Sequence, residues 1–385
     1  MLKRELYLPQ KPNKSYFLWG PRQVGKSSLL KFLYPKATYI NLLDTDEFMK
    51  YNEKPYLLRQ ELLTQNKKGI FVIIDEIQKV PLLLDEVHNL IENYNYKFAL
   101  CGSSARKVRK AGVNLLGGRA VRYELYGFNA QELKDKFNLL RIINHGYIPN
   151  HYLSNEPKKL INSYINNYLK EEIKEEGLVR KIPSFSEFLF NAALSDTELV
   201  NYANISRECS VSLPAVKEYF QILVDTLLGR FLPAFRKRPK RRVIQSPKFY
   251  FFDVGIVNFL TKRNNLEPGS ELFGKAFENW IFHELNSYNS YKEKYLDFSY
   301  WRLASGTEVD FIVNNMEYAI EVKAKRKITD NDLKGLREII KDHKNIKQRY
   351  LISLIEKDRL LDDGILILSY QSFIKKMWDG KLFSS

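Results

Sequence analysis

Residues Gly20, Pro21, Arg22, Gln23, Val24, Gly25, Lys26 and Ser27 read G-x-x-x-x-G-K-S, with Ser28 next. That spacing makes a phosphate cradle. Glycines let backbone N–H groups close around phosphate oxygens, and a following helix N-terminus adds its dipole. Lys26 is placed to reach the β- and γ-phosphates, and Ser27 to ligate Mg²⁺. Downstream, the apolar run from Gly69 to Ile74 ends in Asp75 and Glu76. Asp75 would hold the metal through its water shell, and Glu76 would polarise the attacking water. A third set, Asp310, Glu321 and Lys323, joins two carboxylates to a lysine two residues on. A divalent ion on Asp310 and Glu321 would remove the repulsion between the two carboxylates.

These side chains need elements to hold them. Ser15 to Trp19 reads as a strand, and the spacing from Ser28 to Leu33 as a helix. Ala37 to Leu43 reads as a second strand, ending at Asp44, and Tyr56 to Gln65 as a helix. The unbroken apolar run before Asp75 suits a strand buried on both faces of a parallel sheet. Lys97 to Cys101 and Ala120 to Tyr126 supply two more strands. The expected fold is α/β, a doubly wound P-loop sheet with nucleotide at the strands' C-terminal edge. Arg106, Arg109 and Arg119 follow the fourth strand. Each is either a finger on the phosphate, from this chain or a neighbouring copy, or a solvated arginine.

From Leu160 to Glu176 the apolar spacing is helical and suggests a lid. Ser186 to Ala193 reads as a helix, another begins at Asp196, and Ser212 stands as N-cap before a long helix from Ala215 to Leu228. Two strands follow, Arg230 to Phe235 and Lys248 to Asp253, around a tip carrying Arg236, Lys237, Arg238, Lys240, Arg241 and Arg242. This is a winged helix-turn-helix pattern. Its basic tip suits phosphate contacts on DNA, and packing between domains is the alternative.

In the last third, Glu308 to Val313 and Tyr318 to Lys325 alternate with period two around Asn314 to Glu317, a hairpin. Val313 then faces Tyr318, and Asp310 faces Glu321. Their carboxylates would stand about 5 Å apart, repulsive without a cation. Alternatively Glu308 faces Lys323 as an ordinary surface pair. A helix from Leu272 to Phe282 carries Glu278. Asp332 to Lys341 reads as a helix and Gly364 to Leu368 as a strand.

At 385 residues, the chain is long enough for two or three domains. The net charge of +16 favours a polyanion, nucleic acid first, although abundant lysine alone would give it. Two distant cysteines, Cys101 and Cys209, offer no disulfide framework and fit a reducing cytosol. No signal-peptide core or membrane-length apolar run appears, so a cytoplasmic protein with no membrane partner is expected.

Gly-Pro-Arg-Gln-Val-Gly-Lys-Ser, Asp-Glu-Ile-Gln-Lys-Val, Gly-Ser-Ser-Ala-Arg and Leu-Leu-Gly-Gly-Arg resemble the motifs of a prokaryotic AAA-type ATPase family with an uncharacterised C-terminal region. The resemblance spans essentially the whole chain. It implies ATP and Mg²⁺ as ligands, ATP hydrolysis, and a small polar γ-phosphate sensor at the tip of the fourth strand, Ser103 or else Ser104. A plain serine turn is the alternative there. Homo-oligomers are common among such ATPases, which is where Arg119 could act on a neighbour's phosphate. His145-Gly146-Tyr147-Ile148-Pro149 departs from the family's Gly-Gly-aromatic-Pro stretch. Asp310, Glu321 and Lys323 resemble the signature of restriction-endonuclease-like nucleases, Glu278 matching the extra acid common there, with Val309 where a proline often stands. The implied organisation is a nucleotide-binding domain (1–130), a helical lid (131–184), a winged helix (185–262) and a nuclease-like domain (263–385). The nucleotide state would then control a DNA-engaging half, which either cuts DNA or acts as a non-cleaving switch.

Overall fold

Alternating apolar runs and helices build a five-stranded sheet near the N-terminus. The elements are β1 (Ser15–Trp19), α1 (Lys26–Leu33), β2 (Thr38–Asn41), α2 (Thr45–Glu53), α3 (Leu57–Thr64), β3 (Phe71–Asp75), α4 (Leu83–Tyr94), β4 (Lys97–Gly102) and β5 (Ala120–Glu124). This computed structural model describes residues 2–64, 70–104, 106, 116–169, 182–236 and 245–383. The strand order is β2-β3-β4-β1-β5, and every neighbouring pair is parallel. Trp19 pairs with Gly102 and Asp75 with Cys101. The C-terminal ends of β1, β3 and β4 therefore meet at one edge, where Gly20, Glu76 and Ser103 follow.

The sheet's apolar positions, among them Phe17, Trp19, Val72, Ile74, Phe98 and Leu100, close over Leu83, Leu84, Val87 and Leu90 of α4. These elements belong to a compact unit made of Leu6–Gly127 and Ile222–Leu228.

The second unit comprises Met1–Glu5, Phe128–Gln221 and Gly229–Ser385. It begins with α5 (Ala130–Leu133), α6 (Leu139–His145), α7 (Pro149–Leu153) and α8 (Pro157–Ser163), which runs into a π-helical stretch, Tyr164–Leu169. The expected lid helix is thus described only to Leu169, and the rest of its span lies outside the described residues. Next come α9 (Ile182–Leu194), α10 (Tyr202–Glu208), α11 (Leu213–Asp225) and the antiparallel pair β6 (Gly229–Leu232) and β7 (Lys248–Phe251).

The helix expected to begin at Asp196 begins at Tyr202, with Asn201 as its cap. Asp196 turns inward instead, accepting the Phe251 N–H at 2.8 Å and the Asn279 amide at 2.9 Å. Ser212 precedes α11 as expected, its carbonyl accepting from Val216 N at 3.1 Å. Arg236 is exposed, while Arg109 and the tip residues Lys237, Arg238, Lys240, Arg241 and Arg242 lie outside the described residues.

The remainder is α12 (Val254–Leu260), α13 (Glu271–Tyr291), β8 (Phe298–Arg302), β9 (Glu308–Val313), β10 (Tyr318–Lys323), α14 (Lys334–Asp342), β11 (Gln348–Ser353), β12 (Arg359–Leu360), β13 (Ile365–Ser369) and α15 (Tyr370–Trp378). The strands form a six-stranded sheet, β12-β13-β11-β10-β9-β8. β8, β9 and β10 make an antiparallel meander, and β10, β11 and β13 run parallel. A Cβ on Gly335 would lie 1.9 Å from the Glu308 carbonyl oxygen, so glycine lets α14 press onto β9. Among the described residues no helix is long and apolar enough to cross a membrane, and Cys101 and Cys209 are both free and buried.

α13 holds a carboxyl that makes stability depend on pH. Glu284 is fully buried, and its Oε1 accepts from Ala130 N at 2.7 Å and Trp280 Nε1 at 3.1 Å. Burial pushes its pKa up to about 8. Because the folded value lies above the unfolded one, its contribution is complete below the ordinary glutamate range and is lost as pH rises through about 8. Urea unfolding should show the wild type losing stability between mildly acidic and mildly alkaline pH. Glu284→Gln, neutral throughout, should show a flatter profile. Equal pH slopes in the two proteins would remove Glu284 as the cause.

Candidate functional site

The phosphate loop leaves β1 at Gly20, where a Cβ would sit 2.4 Å from the Leu125 carbonyl oxygen. Gln23 and Gly25 have φ of 62° and 94°, left-handed values that bend the loop back into α1. Gly25 is the helix's N-cap residue, its carbonyl accepting from Leu29 N at 2.9 Å. Lys26 is buried and its ammonium donates to the Gly20 and Pro21 carbonyls at 2.7 and 2.9 Å. It spans the loop, a cation held where phosphate charge would arrive.

Asp75 and Glu76 are both buried at the end of β3. Asp75 accepts the Tyr39 hydroxyl, which also hydrogen-bonds Ser27. Burial and the Asp75 carboxylate push the Tyr39 phenol up. Ser27 and Asp75 thus converge on one hydroxyl, and this donor pair fits Mg²⁺. The ion would bring positive charge to the β- and γ-phosphates when bound with nucleotide.

Glu76 has a φ of 59°, a left-handed value in a residue with a Cβ. Its carboxylate accepts from Gln78 Nε2, and the same amide donates to Ser103 Oγ at 3.0 Å. A Cβ on Gly102 would lie 2.4 Å from Gln78 Oε1, so that glycine keeps the amide's place open. Ser104 is also buried, but its hydroxyl accepts from Arg106 N at 3.2 Å. Of the two serines, Ser103 is the one joined to Glu76.

The structure brings Lys26, Ser27, Asp75, Glu76 and Ser103 to one sheet edge and leaves Arg119 away from it. Ala120 pairs with Ser15, so Arg119 precedes the N-terminal end of β5, opposite the phosphate loop. The strand length puts roughly 16 Å between the two edges, and Arg119 is paired with Glu92. Arg106 follows β4 on the loop side and pairs with Asp225 at 3.4 Å.

In the other unit, Asp310 and Glu321 are buried on neighbouring strands. The expected pairing of Val313 with Tyr318 is present and the ladder runs to Phe311 opposite Ile320. Asp310 then departs from a simple ladder position, its Oδ2 accepting the Val322 N–H at 2.8 Å. Lys323 reaches Glu321 at 2.5 Å. Glu308 pairs with Lys248 and with Arg302 (2.9 Å), which replaces the expected partner Lys323.

Lys248 is the residue that reading the sequence missed. It opens β7, is 3% exposed, and reaches Glu278 at 3.2 Å, Glu308, and Asp310 at 3.8 Å. Tyr250, two residues on, donates to Glu278 at 2.6 Å. Burial opposes the Lys248 charge, but Glu278, Asp310 and Glu308 outweigh it and raise its pKa. Burial pushes Glu278 up to about 7. Glu321 is raised by burial and by Asp310.

Lys323 holds Glu321 Oε1 and the Val322 N–H holds Asp310 Oδ2, while Glu321 Oε2 is buried without a hydrogen-bond partner among the described residues, and the two carboxylates alone do not make a Mg²⁺ site. Among the described residues, no three His, Cys, Asp or Glu side chains come together as a metal ion needs.

Comparison with known proteins divides the chain in three. Residues 12–134 match a family described as an AAA domain. Residues 136–267 and 273–373 match two domains of unknown function, DUF8612 and DUF4143. An uncharacterized protein of Mycobacterium tuberculosis, Rv2008c, is 24% identical over 319 residues, covering 80% of this chain and 69% of its own length. An uncharacterized protein of Haemophilus influenzae is 22% identical, covering 74% of this chain and 78% of its own. Among solved structures, the Aeropyrum pernix ORC1 protein in complex with DNA is similar at 12% identity with a TM-score of 0.27, over 65% of this chain and 86% of that one. A signal transduction ATPase with numerous domains from Pyrococcus horikoshii is similar at 15% identity with a TM-score of 0.24, over 76% of this chain and 48% of that one.

Proposed function

We propose that this chain is an ATP-binding, ATP-hydrolysing switch whose second unit delivers the output by contact, without cutting. The observation that carries the first half is the meeting of Lys26, Ser27, Asp75, Glu76 and Ser103 at one edge of a parallel sheet, within the stretch that matches an AAA domain. In this reading Lys26 and the loop N–H groups hold the β- and γ-phosphates. Ser27 and Asp75 hold Mg²⁺. Glu76 orients water, and Ser103 senses the γ-phosphate. Gln78 keeps Glu76 and Ser103 in one hydrogen-bonded set.

DNA is the partner that the net charge of +16 and the Arg236 to Arg242 run favour for the second unit. The helices α9, α10 and α11 followed by the β6–β7 pair support a winged-helix reading of that contact. Helix, three-stranded meander, helix and parallel strand (α13, β8 to β10, α14, β11) support descent from a nuclease-type core. Lys248 engages Glu278 and Glu308, and among the described residues no three acidic side chains come together as a metal ion needs, which favours contact over cleavage.

Lys26→Ala tests the nucleotide site. Removing a charged donor from phosphate costs about 1.5–3 kcal/mol, so ATP affinity should fall about ten- to hundredfold. Titration with a fluorescent ATP analogue measures it, and an affinity equal to wild type would sink the assignment.

A further inference from the structure

The turn that follows β3 is anchored on both sides of Gln78. Ile77 and Val80 are buried in the core of the first unit, and Lys79 N donates to the Glu76 carbonyl at 2.9 Å. Gln78 is itself 4% exposed, so its amide is delivered to one place. There a single nitrogen, Nε2, serves two acceptors, Glu76 Oε2 and, at 3.0 Å, Ser103 Oγ. An NH₂ group has two hydrogens, one for each. The amide oxygen Oε1 is buried against Gly102 and has no hydrogen-bond partner among the described residues. A buried acceptor in that condition opposes folding. Turning the amide over would set that oxygen against the Glu76 carboxylate, so the carboxylate dictates the orientation. The Glu76 backbone is fixed as well, its N–H donating to Asp75 Oδ1 at 3.1 Å. Among the described residues Gln78 is the one side chain that hydrogen-bonds the Glu76 carboxylate, and it holds only Oε2.

We propose that Gln78 is a positioning residue for ATP hydrolysis: its amide pins one oxygen of Glu76, leaves the other to the attacking water, and ties the carboxylate to the Ser103 hydroxyl. It acts through Glu76, so the proposal rests on the reading of Glu76 as the group that orients water. The chemistry of the position is narrow. Glutamate at 78 would bring a second negative charge against Glu76, and methionine has the length but no donor. An amide gives two hydrogens without adding charge beside the phosphates.

The experiment uses the full chain with ATP and Mg²⁺. Gln78→Met should lower the hydrolysis rate about 10- to 100-fold, the loss expected when a reacting group is misplaced by about 1 Å. Affinity for a fluorescent ATP analogue should stay within about twofold of wild type, so that the loss falls on the rate. The decisive arm is the Glu76→Gln background, read by single-turnover hydrolysis of radiolabelled ATP. A residue that acts through Glu76 has no carboxylate left to position there, so adding Gln78→Met should change the rate less than about threefold. A residue that only packs the turn would cost the same factor in both backgrounds. Gln78→Asn, whose amide stops one carbon short, should repeat both results, and it decides the matter where the methionine variant does not fold. A folded Gln78→Met or Gln78→Asn protein that turns over ATP within about threefold of wild type would overturn the proposal. So would a loss that falls on affinity, or one that multiplies with Glu76→Gln. Failure of both variants to fold would overturn it too, by making Gln78 a residue of the fold. Wild-type turnover in Glu76→Gln alone overturns instead the reading of Glu76.

Discussion

Glu76→Gln is expected to lower ATP turnover by about 100-fold or more while ATP still binds. Glutamine matches glutamate in size, and its carbonyl oxygen can still accept from Gln78 Nε2. What it cannot do is draw a proton from water. In the proposed reading affinity rests on other groups, the loop N–H donors and Lys26, whose ammonium spans the loop. The loss should therefore fall on the rate and spare affinity. The left-handed backbone at Glu76 sharpens the expectation. A φ of 59° at a residue with a Cβ costs about 1–2 kcal/mol, and it turns the carboxylate from the strand direction toward Ser103. Gln78 Nε2 donates to both that carboxylate and the Ser103 hydroxyl. Phosphate release in steady state, set beside affinity for a fluorescent ATP analogue, separates the two effects. Turnover equal to wild type would pass the water-orienting role to another group.

How much of this was legible depended on the distance over which each feature is written. Gly20 to Ser27 and the run ending at Asp75 and Glu76 are local patterns, and strand, loop and helix appear where the pattern puts them. The β9–β10 hairpin is also local, and its turn fixed the pairing of Val313 with Tyr318. Lys248 was not legible in that way. Its partners Glu278 and Glu308 lie on α13 and β9, and no spacing along the chain announces that β7 will meet them. A single lysine in the aromatic run Lys248-Phe249-Tyr250-Phe251 was the available sign, since a strand buried at every position must neutralise it somewhere. Tyr39 was hidden likewise, because β2 reaches Ser27 and Asp75 only through the sheet's register. Asp196 misled for a different reason. A helix cap and a buried acceptor call for the same residue type, and here the acceptor role won. Arg119 was legible as an arginine before a strand but not as one on the far edge, which only parallel pairing to β1 determines.

Asp253→Ala is expected to cost the second unit about 3–5 kcal/mol, a large part of an ordinary domain's stability. The side chain is completely buried and caps α12, its Oδ1 accepting from Gly255 N at 2.9 Å and Ile256 N at 3.2 Å. Its Oδ2 accepts from Tyr147 N at 2.7 Å and Ile148 N at 3.0 Å, in the corner between α6 and α7. One carboxylate thus satisfies four backbone donors on two segments more than a hundred positions apart. Alanine removes the acceptor and leaves those N–H groups buried, a loss of about 1–3 kcal/mol for each group left unpaired, though not additively. The local geometry leaves little room for relaxation. Gly146 has a φ of 75°, and a Cβ there would lie 2.0 Å from Asp253 Oδ1, while one on Gly255 would lie 2.4 Å from the His145 carbonyl. The His145-Gly146-Tyr147-Ile148-Pro149 turn is in this sense the other half of the Asp253 cap. Asp253→Ser retains one acceptor for the cap and none for the corner, so its stability should fall between wild type and Asp253→Ala. Urea unfolding gives the stabilities, and hydrogen exchange at Tyr147 and Ile148 reports the corner directly. If Asp253→Ala unfolds within about 1 kcal/mol of wild type with those amides still protected, the corner is held by packing and the carboxylate is dispensable.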